Sequence, residues 1–467
     1  MEMNDYIKKQ ADKDWLIADV RFHFWQIFDK LYLELSASKT PPKIILAERE
    51  PVRFLAGFLA ACAANCRVFL CNPDWGKQEW EEVFNLVQPD IIWGVERKEN
   101  EESLKHFPPS CTDATPDATT EGTSATRWLI NRVSTSSLIM IPTGGSSGKI
   151  KFAIHTWQTL MASVRGFTEY FQINQVNSFC TLPLYHVSGL MQFMRSFNTG
   201  GKLVILPFKE LENNQISHIE LSTFFISLVP TQLQTILQNP DLTKWLSQFN
   251  TVLLGGAPAG NELLEKARFH RIRLAPTYGM TETASQIATV KPDDFLNGII
   301  SFSILPHAQV KICNEQGNIM VKCQSLAKGY YPDIWENQDY LQVDDIGFLN
   351  DEGNLNILGR SSNKIITGGE NVYPIEIESA ILATEMVKDV CVIGIPDKQW
   401  GQAITAIYVP TSNISSLEIK NLLKDKLSRF KIPKNWIYVQ NLPRNSQGKI
   451  NHQELQKIAA NLQASST

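Results

Sequence analysis

Residues 142–151 carry the densest chemistry in the chain. Thr143, Gly144, Gly145, Ser146, Ser147 and Gly148 lead into Lys149 and Lys151, directly after the apolar run 138–141. Glycines let several backbone N–H groups turn onto one anion, and the three hydroxyls add donors. The lysines add charge. That combination suits a polyphosphate, so a nucleotide is the ligand it suggests; a flexible surface turn would have the same composition. The spacing excludes a Walker A loop, which needs four residues between its first glycine and the Gly-Lys pair, then Ser or Thr. Only Ser146 and Ser147 separate Gly145 from Gly148, and Ile150 follows Lys149.

Further clusters lie downstream. Tyr278, Gly279, Thr281 and Glu282 follow the apolar residues 274–276. A tyrosine can stack on a base and a glutamate can hold Mg²⁺ beside phosphates; a capped helix start near Thr281 reads the same. Gly255, Gly256 and Ala257 follow the strand-like 252–254. An open α/β sheet leaves its ligand crevice at such a place, and a tight turn also fits. Asp344 and Asp345 precede a predicted hairpin that ends on Gly359 and Arg360. A carboxylate can take both ribose hydroxyls and an arginine suits phosphate or ribose, although surface turns carry the same residues. His186 sits between apolar residues, where a lone histidine is more often structural. Ser188 is not in a nucleophile elbow, because His186 and Leu190 stand where that motif needs glycines. Lys449 follows Gly448 in a predicted turn, placed either to reach a facing site or to sit in solvent.

Such scattered groups need a scaffold that gathers them. Apolar strands are predicted at 43–47, 68–71, 90–93, 203–206, 224–229 and 251–254, with an apolar helix at 54–64, and this rhythm argues for parallel α/β sheets. Residues 308–319 and 348–358 read as β-hairpins turning at 314–317 and 350–353. A smaller unit follows, with helices at 376–383 and 417–430 and strands at 390–395 and 403–409. Its boundary is placed at 359–362. The stretch 108–126, rich in Ser, Thr, Asp and Pro, reads as an exposed, mobile connection.

At 467 residues the chain exceeds one ordinary core. A net charge of −4 without a basic block argues against nucleic acid and against electrostatic membrane docking. No apolar stretch reaches transmembrane length, so no membrane insertion is expected. The first residues lack an apolar signal core, and the eight cysteines form no CxxC pair. A cytoplasmic protein with reduced thiols is the expectation.

In order and type, these clusters together resemble the adenylate-forming acyl-CoA synthetase superfamily from about residue 40 to the C-terminus. The matched set includes Gly368, Gly369, Glu376 and Glu378. The resemblance implies an α/β fold: a large two-lobed N-terminal domain with a β-rich sub-lobe (1–360) and a small, mobile α+β C-terminal domain (361–467). It implies ATP, Mg²⁺ and coenzyme A as cofactor and co-substrates, with a small carboxylic acid as the other partner and a homodimer as one candidate assembly. By the same resemblance, the 143–151 loop, with Lys151 at its fixed lysine position, holds the β- and γ-phosphates. Glu282 holds Mg²⁺ and Thr281 touches phosphate. Tyr278, Gly279 and the Gly255–Ala257 backbone bracket adenine, and Asp345 and Arg360 take the ribose. Lys449 bridges the carboxylate and the α-phosphate. The small domain then turns about Ser362 to bring in the Gly368–Gly369 loop for thioester formation. The chain departs from the family pattern at Gly144, Ile150, Phe152, Val343, Asp344, Ser362 and Asn451.

Within the superfamily, segments 182–191 and 366–374 look most like those of the 2-succinylbenzoate–CoA ligases of menaquinone and phylloquinone synthesis. That likeness places His186, Ser188, Gly189 and Thr277 at the acyl group. The substrate has a second carboxylate, and Arg195, an arginine in an apolar helix predicted at 189–197, is its candidate partner; a surface arginine is the alternative. A fatty-acid or aryl-acid CoA ligase, a carrier-protein-loading enzyme and a non-catalytic binding relative are the competing readings.

Overall fold

The computed structural model describes Ile7 and residues 15–17, 21–95, 137–144, 150–211, 219–313, 317–336, 339–367, 370–397, 400–412, 415–424, 426–444 and 450–464. The predicted connection at 108–126, the loop residues Gly145, Ser146, Ser147 and Gly148, the pair Gly368 and Gly369, and Lys449 lie outside these residues.

Two large sheets build the main body. A seven-stranded sheet has Lys43–Leu46 between Arg67–Leu70 and Ile91–Trp93, all parallel, and Arg67–Leu70 pairs in parallel with Leu138–Gly144. Leu138–Gly144 then turns back antiparallel to Ile150–His155. An eight-stranded sheet runs parallel from Leu16–Ile17 through Leu203–Ile205, Asn177–Cys180, Phe224–Leu228 and Thr251–Leu254 to Leu274–Met280. Two antiparallel strands, Ser285–Thr289 and Ser303–Ile304, complete it. The predicted α/β rhythm is therefore two sheets, each parallel in its centre and antiparallel at one edge.

Three helices fill the space between the sheets: Pro51–Ala63, Trp157–Phe171 and Val187–Thr199. One core cluster joins Phe54, Phe58, Leu160, Val164, Leu190 and Phe193 from these helices to Ile44 and Leu46 of one sheet and Cys180 and Leu203 of the other. Val187–Thr199 is buried from Gly189 to Asn198, and a helix so enclosed is expected to be apolar, which makes its polar residues exceptional.

Both predicted hairpins form. Ala308–Cys313 pairs with Asn318–Cys323, and Leu341–Leu349 with Leu355–Arg360, in one four-stranded antiparallel sheet. Gly317 and Gly353 take the left-handed backbone (φ 78° and 79°) that these turns require. The C-terminal unit has its own five-stranded sheet and its own core around Ile377, Ile381, Val392 and Ile404. The predicted helix at 417–430 is shorter: Ser416–Leu423 is helical and Arg429–Lys431 is a separate single turn. Ser428 is extended (ψ 145°), and so is Ile432, which precedes Pro433 and is kept out of the helical region by it.

Candidate active site

The strands on either side of the glycine-hydroxyl segment pair antiparallel, with Thr143 directly opposite Lys151. A strand-to-strand loop differs from the strand-to-helix P-loop, which agrees with the spacing argument. Lys151 Nζ lies 5.2 Å from the ring centroid of Tyr330. The Tyr330 hydroxyl donates to Glu282 Oε1 at 2.6 Å, and the Thr143 hydroxyl points at the same oxygen from 3.5 Å. Burial, then the Glu282 charge, push the Tyr330 phenol upward, so it stays a donor. Two elements thus meet on the Glu282 carboxylate, and a third brings Lys151 over the ring of Tyr330. Among the described residues no group of three or more His, Cys, Asp or Glu could hold a metal. A single buried carboxylate beside the candidate phosphate loop fits Mg²⁺ all the same, because Mg²⁺ keeps water ligands and takes phosphate oxygens.

Glu282 sits on a short 3₁₀ turn, Thr281–Thr283, and not at a helix start. Every carbonyl of 281–284 is held. Thr281 O accepts from His155 Nε2 at 2.8 Å, Glu282 O from the Ala327 N–H at 2.7 Å, Thr283 O from Ser325 Oγ at 2.8 Å, and Ala284 O from Ser163 Oγ at 2.7 Å. A carbonyl only accepts, so His155 carries its proton on Nε2 and its Nδ1 accepts from the Thr159 hydroxyl at 3.0 Å. Burial lowers the His155 pKa to about 4, so the ring is neutral. This bonding holds Ala284 and Ser285 in the left-handed region, at φ 52° and 91°.

The adenine and ribose candidates meet at bulges. The register of Leu274–Met280 shifts between Tyr278 and Gly279, and that of Leu341–Leu349 between Ile346 and Gly347, re-aiming the side chains beside them. Asp345 faces Arg360 across its pair of strands, with an ion pair of 3.4 Å, and accepts from the Tyr278 hydroxyl at 2.8 Å. Burial raises the Tyr278 phenol, and Asp345 raises it further. Gly255 and Gly256 leave the C-terminal end of Thr251–Leu254, beside Thr277. A Cβ on Gly255 would stand 2.4 Å from Thr277 Oγ1, so a side chain there would displace the Thr277 hydroxyl. Gly256 is left-handed, at φ 84°.

Ser188, Gly189 and Arg195 lie on Val187–Thr199, a helix two residues longer at each end than predicted. His186 is its N-cap residue, its ring 4.5 Å from that of Tyr185. Gly189 packs on Pro183, where a Cβ would be 2.1 Å from the carbonyl oxygen. Arg195 is 2 % exposed, which removes the surface alternative. Its Nη2 donates to Ser285 Oγ at 3.2 Å, and its guanidinium carbon lies 4.2 Å from the Phe167 ring centroid. Burial pushes its pKa down to about 9, and no carboxylate pairs with it among the described residues. Ser188, Gln192 and Arg195 fall at i, i+4 and i+7, one face of the helix. Gln192 Oε1, Arg195 Nε and Ser196 Oγ are buried without a partner. So are both ring nitrogens of His307, which precedes the first hairpin.

Sequence reasoning missed Tyr330, His155, Gln192 and His307. Only Gln192 had a readable signal, a polar residue at helical spacing between Ser188 and Arg195.

At the start of the C-terminal unit, the Ser362 backbone N–H donates to Asp344 Oδ1 at 3.0 Å, and its hydroxyl donates to Asp344 Oδ2. Two departures from the family pattern are therefore bonded to each other. His452 is lowered by burial and then by Arg360, which puts it within electrostatic reach of the ribose candidate.

The AMP-binding enzyme family model matches residues 36–331, and the AMP-binding enzyme C-terminal domain matches residues 376–449. Similar curated proteins are the 2-succinylbenzoate–CoA ligase of Listeria monocytogenes serotype 4b, 35 % identical over 346 residues (71 % of each chain), and that of Bacillus anthracis, 32 % over 340 residues (69 % of this chain and 70 % of the relative). Among solved structures, the o-succinylbenzoate CoA synthetase (MenE) of Bacillus subtilis with the acyl-adenylate intermediate OSB-AMP superposes with a TM-score of 0.80 at 24 % identity, over 97 % of each chain. A MenE of E. coli with bound OSB-AMS gives a TM-score of 0.76 at 25 % identity, over 98 % of this chain and 97 % of that one. The first family model alone spans more than half of the sequence, and the chain belongs to the AMP-binding enzyme family.

Proposed function

We propose that this chain is an AMP-forming ligase that joins coenzyme A to 2-succinylbenzoate. The substrate's succinyl carboxylate attacks the α-phosphorus of ATP, pyrophosphate leaves, and an acyl-adenylate forms. The thiol of coenzyme A, losing its proton, then attacks the acyl carbon, and AMP leaves. The curated relatives carry this activity in their names. The observation in this chain that carries the choice of acid is Arg195: a fully buried cation without a carboxylate partner is costly until an anion reaches it. A diacid supplies that anion from the end that does not react.

In this reading the 143–151 loop with Lys151 holds the departing phosphates. Thr281 touches phosphate, and Glu282 holds Mg²⁺, which would neutralise charge on them. Tyr278, Gly279 and Gly255 to Ala257 hold adenine, and Asp345 with Arg360 holds the ribose. His186, Ser188, Gly189 and Thr277 line the acyl group. Lys449 bridges the carboxylate and the α-phosphate. The first step builds negative charge on phosphate, so fixed donors and cations are what it needs. The C-terminal domain (361–467) turns about Ser362 to present Gly368 and Gly369; the separate sheet and core that begin at Ile365 support that boundary. A homodimer and a cytoplasmic location complete the proposal; no helix of the described residues is long and apolar enough to cross a membrane.

A panel of carboxylic acids with ATP and coenzyme A, scored by AMP release, tests it. 2-Succinylbenzoate is expected to lead the panel, and Arg195→Ala to lower kcat/KM on it by about a hundredfold through KM. A medium-chain fatty acid or a simple aryl acid at the top would overturn the assignment, and an unchanged KM in the variant would overturn the role of Arg195.

A further inference from the structure

His307 is a buried titratable group that the mechanism above does not use. It is 8 % exposed, and neither ring nitrogen has a partner. Histidines in protein interiors are hydrogen-bonded as a rule, so two orphaned nitrogens on one ring call for an explanation. The ring lies against Gly166, in the middle of the helix Trp157–Phe171: a Cβ there would come within 1.8 Å of Nδ1. Glycine is the weakest helix former short of proline, and here it leaves room for one imidazole. Arg195 contacts Phe167, the next residue of that helix, so guanidinium and imidazole stand against the same turn. Their proximity also shows electrically: after burial, Arg195 and then Arg165 lower the His307 pKa, to about 4. These two arginines are the charged groups that face it from the two helices packed there.

A buried cation and a buried, neutral imidazole, each with unused N–H capacity, form a receptor for a planar anion. We propose that His307 is a specificity residue for the second carboxylate of the substrate, donating one ring N–H to the anion that Arg195 pairs with, in a space that Gly166 keeps open. The proposal rests on the assignment of a dicarboxylic acid to this site. Charge comes from Arg195; His307 adds direction, because a carboxylate with two acceptor oxygens can be gripped from two sides. A substrate without the ring carboxylate would leave both groups unsatisfied and be selected against.

The test compares 2-succinylbenzoate with 4-oxo-4-phenylbutanoate, the same skeleton without the ring carboxylate, in the full-length enzyme with ATP and coenzyme A. His307→Leu is expected to raise KM for the diacid about tenfold or more, with kcat within a factor of two and KM for the monoacid unchanged. His307→Gln keeps an N–H donor and is expected to recover part of the diacid affinity. Gly166→Ala, which touches neither substrate, is expected to act like His307→Leu by displacing the ring. Should His307→Leu fail to fold, the other two variants still give the diacid-to-monoacid ratio. A ratio unchanged in the variants, or equal losses on both acids, overturns the role of His307 and leaves the function standing. A wild-type enzyme that ignores 2-succinylbenzoate overturns the functional reading, and this inference with it.

Discussion

At the proposed nucleotide end of the site, His155 has both ring nitrogens in hydrogen bonds; at the proposed acyl end, His307 has neither. The contrast extends to their surroundings. Around His155 the carbonyls of 281–284 are each bonded, Glu282 is held by Tyr330, and Asp345 is held by Tyr278 and Arg360. On the helix that carries Arg195, atoms of Arg195, Gln192 and Ser196 are buried without a partner. Among the described residues, the polar groups of the first end are bonded to one another without a ligand. The second, in the proposed reading, is completed by the anion of the substrate, which its unsatisfied atoms await. Pre-organised ends set rate; unsatisfied ends set choice.

That division predicts separable failures. The largest effect belongs to Glu282→Gln, which removes the carboxylate charge at the centre of the first end. Adenylation, read as pyrophosphate release, is expected to fall by about 10²–10³-fold, in line with the loss of a single pre-organised electrostatic group. The preference for 2-succinylbenzoate over its monocarboxylate analogue is expected to survive. A changed preference would show that the two ends are not independent.

A smaller effect appears in stability. Burial holds both His155 and His307 near a pKa of about 4, against 6.5 for an exposed histidine. Between these values the unfolded chain binds a proton that the folded chain refuses. Stability is therefore full above pH 6.5 and falls as pH drops towards 4, by up to about 3 kcal/mol for each ring. Urea unfolding at pH 7 and pH 4.5 measures this, and His155→Gln and His307→Gln are each expected to show a shallower loss than the wild type. Saturating 2-succinylbenzoate sharpens the comparison: a carboxylate beside His307 favours the protonated ring and flattens its share of the slope, while the share of His155 stays as it was. Equal responses of the two rings to the diacid would break the contrast.

The two ends also differed in how much of them could be read from sequence. The nucleotide end is encoded in short segments of unusual composition that follow strands: 143–151, 255–257, 278–282 and the facing pair Asp345 and Arg360. Each needs glycines, hydroxyls or charges close together, because a phosphate or ribose is gripped by several adjacent groups. The architecture was equally legible, since strand and hairpin periodicity survives into the two sheets and the antiparallel sub-lobe. The supports were not legible. Tyr330, His155, Ser163 and Ser325 come singly from distant elements, and each is an ordinary residue until its one hydrogen bond is seen. His307 is harder still, because what marks it is a missing partner. The overlong helix expected at 417–430 shows the complementary error: amphipathic spacing continues past Leu423, but the helix ends there, and extended backbone at Ser428 and Ile432 sets Arg429–Lys431 apart as a separate turn.

The smallest effect tests how far completeness at the nucleotide end matters. Tyr278 has two parts to play: in the proposed reading its ring stacks on adenine, and its hydroxyl donates to Asp345 at 2.8 Å. Tyr278→Phe removes only the second. Asp345 then keeps Arg360, whose side chain is largely exposed and whose 3.4 Å ion pair contributes at most about 1 kcal/mol. The lost bond is a neutral hydroxyl donating to a carboxylate, worth about 1.5 kcal/mol, so KM for ATP is expected to rise about tenfold with kcat changed less. Because burial and Asp345 hold the phenol protonated, this difference should be constant from pH 6 to pH 9. ATP titrations of both enzymes across that range, at saturating 2-succinylbenzoate, provide the measurement. A rise of a hundredfold would mean that Asp345 without Tyr278 no longer meets the ribose at all. No rise would mean that Arg360 alone positions the carboxylate, and that the nucleotide end has bonds to spare where the acyl end has none.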